Sequence, residues 1–273
     1  SIESQPEEEI EFEQLYARID NIEDSGFGVM IGQIRNPFGL WSDFTSHRNF
    51  TSTKNNTLVN GFALKKIELG IQVDKNFDSG VVMKAALVHG RSGRTSSLDR
   101  ADNDKSKDFV ARLGYTGTKF GLGASAYLAE FSTNKRYAYG VDWQFLTPRF
   151  SLSGEAVFQK NNNPRSIQQT GVANISEELS QGIAGLNSLS SLGAYVQFSY
   201  SLGTRLSLYG LYETWRLYAA GDLVEDATYK VFHGFRHQIN QRTRWMILEF
   251  GWMFHNNFDE GNLHLSTQLE VTF

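Results

Sequence analysis

The residue types that bind metals are present in the sequence but do not form a recognisable site. Of the six histidines, His233 and His237 are the nearest neighbours along the chain. In a strand this pair would be about 13 Å apart, too far to share a metal ion. The stretch 99–104 offers oxygen ligands suited to calcium, although a loop this polar is more often simply solvated. We therefore predict no metal site and no cofactor.

Hydrolytic chemistry would need a serine, a histidine and a carboxylate, or two carboxylates, close together in the fold. Serines are plentiful, and His89 and His255 could meet acidic residues at one rim. No serine, however, lies in a recognisable nucleophile motif. We predict that the chain has no catalytic residues and is not an enzyme, with an enzyme kept as an alternative hypothesis.

Charged residues alternate with apolar ones along many short segments, which suits a different kind of chemistry. Alternate residues of a strand face opposite sides, so such charges collect on one face. Rings of charge around a lumen set which solutes pass a pore. The candidate pore-lining residues are Arg18, Gln33, Arg35, Lys66, Lys84, Arg112, Arg136, Asp142, Glu155, Arg236 and Glu249. A transverse field of mixed charge and a set of pairs that stabilise a plugged interior both fit this nearly balanced set.

The elements that must position these residues are strands. In the run 261–273, leucine, threonine, valine and phenylalanine side chains alternate with histidine, serine, glutamine and glutamate. Similar alternation joins 136–146 to 149–159 across a short turn at 147–148, and 107–115 to 119–131 across 116–118. Period-2 alternation bounded by turn residues predicts β-hairpins.

Further strands are expected near 10–20, 26–36, 62–73, 81–90, 191–202, 204–217, 227–239 and 243–255, which gives about thirteen. Short turns fall at 21–25, 74–80, 203 and 240–242, whereas longer polar segments fall at 37–61, 91–107, 161–190 and 219–226. Short turns on one rim and long loops on the other are typical of outer-membrane barrels, which normally have an even strand number. Either an upstream strand is missing or the count is in error, and fourteen to sixteen strands are expected.

The composition agrees with an exported barrel. The chain has no cysteine, 25 glycines but four prolines, and a formal net charge of −4, which argues against a nucleic-acid partner. Aromatic residues cluster near the expected strand ends, as in a membrane girdle. We predict one all-β domain over 1–273: a transmembrane, antiparallel, up-and-down β-barrel in the bacterial outer membrane, in contact with its lipids.

The segment 30–45, MIGQIRNPFGLWSDFT, contains a local motif. Pro37 removes a ladder donor and Gly39 permits a sharp turn, so the chain must leave the sheet there. Residues 10–45, and above all the stretch from Gly32 to Leu40, resemble the phosphate-selective porin O and P family. That resemblance implies a monomeric or trimeric diffusion channel with a loop folded into the barrel, here 37–61. Because this loop offers only Arg48 and Lys54, the family's phosphate-binding lysine cluster is not matched.

The C-terminal strand ends in QLEVTF, with alternate apolar residues and a terminal aromatic. It resembles the signal read by the barrel assembly machinery, which would involve Gln268, Leu269, Val271 and Phe273. We therefore expect that machinery to be a partner.

Taken together, the sequence predicts an outer-membrane porin for passive diffusion of small hydrophilic solutes or ions, with Arg35 near the constriction. One alternative is a scaffold or sheath that holds a partner in its lumen, such as a lipoprotein or an electron-transfer cytochrome. The other is an outer-membrane enzyme.

Overall fold

A computed structural model describes residues 15–40, 67–89, 107–131, 134–162, 188–219, 222–239, 243–255 and 260–271. It contains thirteen strands in one antiparallel sheet, and each strand pairs with the next along the chain. The strands are β1 Leu15–Ile19, β2 Phe27–Arg35, β3 Ile67–Asn76, β4 Val81–Val88, β5 Asp108–Thr116, β6 Phe120–Phe131, β7 Asn134–Leu146, β8 Phe150–Asn161, β9 Leu189–Ser201, β10 Leu206–Ala219, β11 Asp222–Gln238, β12 Thr243–His255 and β13 Glu260–Val271. A short 3-10 helix, Ile22–Asp24, lies between β1 and β2.

The all-β, up-and-down architecture predicted from alternation is confirmed. The described residues contain the thirteen strands counted in the sequence, and the even total of fourteen to sixteen is not reached within them. Across the same residues, no ladder joins β1 to β13, and no helix is long and apolar enough to cross a membrane.

The two ends of the sheet differ in their connections. At the end that we call the short-turn end, tight turns link β1 to β2, β3 to β4, β5 to β6, β7 to β8 and β9 to β10. At the other end, called the long-loop end, the chain leaves the sheet after β2, β4 and β8 for long connections. The expected long segment at 219–226 is wrong, because β10 and β11 pair as far as Ala219 and Asp222. Pairing satisfies the backbone groups of polar residues as well as apolar ones, so polarity alone did not end these strands.

The outward face of the sheet is apolar. Leu113 and Leu122 are 56% and 55% exposed, and Leu87, Val141 and Ile31 are more than half exposed as well. A belt of this kind is unfavourable in water but matches a hydrocarbon environment.

Aromatic rings border this belt at the short-turn end. The Tyr115 and Phe120 ring centroids are 5.4 Å apart, and those of Phe145 and Phe150 are 6.4 Å apart. Amphipathic and aromatic rings favour the headgroup level of a bilayer. The belt and its border are those of a strand-built membrane protein.

Candidate pore and constriction

After β2 the chain turns into the barrel interior instead of continuing the sheet. Residues 36–40 are all buried, including Phe38 and Leu40 at 7% exposure each. The Phe38 amide donates to the Asn36 carbonyl at 2.8 Å, and Gly39 has a φ of +67°. A left-handed φ of this kind favours glycine. We call residues 36–40 the inward segment.

The inward segment reaches the wall formed by β6, β7 and β8. The Gly39 amide donates to the Ser125 hydroxyl on β6 at 2.9 Å. A side chain at Gly39 would collide with the Glu155 carboxylate on β8. The Phe38 ring lies 3.0 Å from where a Cβ of Gly140 on β7 would be. Gly39 and Gly140 therefore permit this close approach, which narrows the lumen.

A cavity of about 400 Å³ lies between the inward segment and the short-turn end. Its walls come from β1 to β7, with Leu40 of the inward segment among the lining residues. Most of its polar lining consists of charged or amide side chains: Arg18, Gln72, Asp74, Asn76, Lys84, Arg112, Asp142 and Gln144. The cavity can therefore solvate a small polar molecule.

Two ion pairs organise this cavity. The Arg18 guanidinium binds both oxygens of Asp74, each at 2.9 Å, and Gln72 donates to the same carboxylate at 3.4 Å. Arg112 pairs with both oxygens of Asp142, one of them at 2.8 Å. Bidentate pairs of this type fix the direction of both side chains.

Lys84 lies between these pairs in the sheet. It stands opposite Asp74 on β3 and opposite Arg112 on β5. The cavity lining thus carries three cations and two carboxylates.

The wall from β7 to β10 carries an acidic row. Asp142 stands opposite Glu155, which is followed in the same rung by Tyr195 and Glu213. The Tyr195 hydroxyl donates to Glu155 at 3.4 Å, and the Lys230 ammonium lies 4.0 Å from Glu213. The acidic row on β7 to β10 thus faces a set of mixed charge on β1 to β5, in which Arg18, Lys84 and Arg112 stand beside Asp74.

Towards the long-loop end the interior is more closely packed. The Tyr127 hydroxyl donates to Asp108, with Glu68 and Arg136 within electrostatic range. Tyr127 also belongs to a cluster of buried apolar and aromatic side chains that includes Phe38, Val88, Val110, Val157 and Phe232. The interior is therefore not uniformly polar.

Four of the predicted pore-lining residues, Arg18, Lys84, Arg112 and Asp142, meet around the cavity. Glu155 lies against Gly39. Arg136 is buried beside Tyr127, and the Arg236 guanidinium lies 5.8 Å from the Tyr209 ring.

The placement of Gln33 and Arg35 differs from the expectation. They pair with Leu69 and Ile67, and Leu69 is 46% exposed on the outward face. Ile34 between them is fully buried and faces inward, so strand alternation puts Gln33 and Arg35 on the other side. The inward segment begins only after Arg35.

The structure describes only some of the remaining predicted pore-lining and assembly-signal residues. Lys66, Phe273 and the predicted constriction loop beyond Leu40 lie outside the described residues. Glu249 is paired with Gly234 and Ser266, while Leu269 and Val271 pair with Trp245 and Thr243. Gln268 pairs with Met246 in the same ladder.

Sequence reasoning missed Asp74, Gln72 and Ser125. Asp74 was assigned to a turn, but β3 continues to Asn76. The signal was present, because Glu68, Gln72 and Asp74 share one face of the strand. Among the described residues, no group of histidine and carboxylate side chains could hold a metal ion.

Comparison with known proteins gives a fold but no family. No family model matches the sequence, and neither does any curated protein. An anion-selective porin from Comamonas acidovorans superposes with a TM-score of 0.61 at 10% identity, over 90% of this chain and 70% of that one. A loop L8 deletion mutant of OmpT, an outer membrane protein of Vibrio cholerae, superposes with a TM-score of 0.59 at 12% identity. The match covers 89% of this chain and 75% of that one.

OccAB1 of Acinetobacter baumannii gives a TM-score of 0.58 at 9% identity, and the match covers 91% of this chain but 64% of OccAB1. These similarities, together with the apolar belt, show the porin-like fold of a bacterial outer-membrane β-barrel, as the sequence predicted.

Proposed function

We propose that the chain is an outer-membrane channel for passive diffusion of small hydrophilic solutes or ions. The observation that carries the proposal is the polar cavity of about 400 Å³ inside the barrel, closed on one side by the inward segment. Charged and amide side chains around such a space can replace part of the hydration shell of a passing solute. The proposal assigns no catalytic role to any of them.

The inward segment forms the constriction in this proposal. Its contacts with Ser125 on β6 and Glu155 on β8 hold it against the opposite wall of the barrel. A solute would pass between this segment and the cationic side chains of β1 to β5. The mixed charge favours weak selectivity over strong discrimination between anions and cations.

We further propose a relationship to the phosphate-selective porin O and P family. The support is that the motif from Gly32 to Leu40 turns into the lumen, with positive φ at both Gly32 and Gly39. Outer-membrane lipids and the barrel assembly machinery are the proposed partners, and a homotrimer stays a prediction.

The second candidate is a scaffold barrel filled by a partner protein. The observation that favours it is the apolar cluster of Phe38, Val88 and Val110, because an interior closed by such side chains leaves less open path for a solute towards the long-loop end.

A liposome-swelling assay separates the two candidates. Vesicles that contain the refolded chain should swell in neutral sugars, with rates that fall as sugar size rises, and deletion of 37–61 should raise the rate. Vesicles that do not swell, although the barrel is folded, would favour the scaffold.

A further inference from the structure

An outward-facing basic and aromatic patch lies near the long-loop end of β7 to β11. Arg216 on β10 is exposed. Its successive cross-strand partners on β9, β8 and β7 are Leu192, Phe158 and Tyr139, which lie on the same outer face. The next rung towards the long loops contains Tyr218 and the exposed Lys160. We call Tyr139, Lys160, Arg216, Tyr218 and Tyr229 the rim patch.

Arg216 is held in place by tyrosines. Its Nη2 donates to the Tyr229 hydroxyl at 3.0 Å, and Tyr218 makes a second side-chain hydrogen bond to it. The guanidinium has five donors, so further N–H groups can bind an acceptor outside the protein.

The sheet is irregular at this position. The ladder between β10 and β11 shifts register between Trp215 and Leu217, on either side of Arg216. Bulges of this type redirect side chains and are typical of functional edges and rims. The Arg216 side chain lies at this irregularity, between Tyr229 and Tyr218 on the outer surface.

Charge and polarity determine what this surface can accept. Phe158 and Leu192, which are 40% and 42% exposed, provide apolar surface beside the cation. Of the outward side chains that the structure describes near the long-loop end of β7 to β11, none is a carboxylate. Lys160 and Arg216 are two strands apart across the sheet and two residues apart along it, which places their Cα atoms about 12 Å apart.

We propose that the rim patch binds the phosphorylated headgroup of an outer-leaflet lipid. The guanidinium and ammonium groups bind phosphate oxygens, Arg216 with the geometric match that a planar fork provides. The tyrosines lie at headgroup level, and the acyl chains continue over Phe158 and Leu192. Since the long loops of outer-membrane barrels face the exterior, the lipid belongs to the outer leaflet.

Native mass spectrometry of the refolded full chain in detergent micelles tests this proposal. The probes are diphosphorylated lipid A, lipid A without phosphates, and inorganic phosphate. The first should bind, and the Arg216→Gln, Lys160→Gln double variant should bind it roughly 25-fold more weakly, because each cation near a lipid surface contributes roughly fivefold. Lys119→Gln, at the short-turn end, is the matched control and should bind as the wild type does.

Equal binding of lipid A without phosphates, or wild-type affinity in the double variant, would overturn the proposal. Equal occupancy by inorganic phosphate would overturn it in favour of a free-anion site. An equal loss in Lys119→Gln would show nonspecific attraction and would overturn it too. The outcome does not depend on channel activity, because the rim patch faces outward, so conductance measured on the same samples tests the proposed function separately.

Discussion

Gly39 lies directly against the carboxylate of Glu155, although one residue follows β2 and the other belongs to β8. The contact crosses the lumen and requires a residue without a side chain. It shows how a short segment that leaves the sheet narrows the barrel, and it gives the constriction a position that can be altered by single substitutions.

Replacing Gly39 with alanine should destabilise the barrel. The new Cβ would collide with Glu155, and a φ of +67° costs a residue with a side chain about 1–2 kcal/mol. Urea titration of the protein folded in vesicles should therefore show a lower free energy of unfolding.

Gly203→Ala is the matched control for this loss, because a Cβ there meets no atom within 4 Å. Equal stability of the two alanine variants would contradict the placement of Gly39.

Replacing Phe38 with alanine should raise single-channel conductance. The ring is 7% exposed inside the lumen and packs over Gly140, so its removal widens the constriction. Phe120→Ala removes a ring that is 49% exposed on the outer face and should leave conductance unchanged. Unchanged conductance in a folded Phe38→Ala variant would mean that the inward segment does not limit flow.

Replacing Asp142 with asparagine should shift ion selectivity towards anions. The substitution removes one carboxylate from the cavity and leaves Arg112 charged. The reversal potential in a salt gradient measures the shift, and Lys84→Gln should move it in the opposite direction. Asp78→Asn, in the exposed turn between β3 and β4, is the charge-matched control. If it moved the potential as far as Asp142→Asn, the cavity would not be the selective region.

Replacing Val141 with arginine should impair insertion. Val141 is 54% exposed in the middle of β7, within the apolar belt. Arginine facing lipid near the bilayer midplane costs about 2–4 kcal/mol. Gln144→Arg, on the opposite face of the same strand, should cost much less because Gln144 lines the cavity. Comparable stability losses, measured by urea titration in vesicles, would contradict the orientation of β7.

The strands could be predicted well because each is half-buried and alternates with a period of two. On β7, for example, Arg136 and Asp142 face inward while Val141 faces outward, as the pattern requires. Gln33 and Arg35, predicted to line the pore, do not fit this pattern, because the buried Ile34 sets the parity of β2 and places its neighbours on the other face.

The partners of the charged residues could not be predicted. The pairing of Arg18 with Asp74, and of Arg112 with Asp142, depends on register between strands and on the direction of long side chains. The burial of Tyr127 and Tyr195 depends on what fills the lumen, which alternation along a strand does not contain.

Planar-bilayer recording of the refolded chain shows whether the barrel conducts. We expect stable, step-like openings with weak ion selectivity, because the cavity carries three cations and two carboxylates. A barrel that is folded by circular dichroism and heat-modifiable mobility, yet silent in the bilayer, would contradict this expectation and favour a partner-filled scaffold.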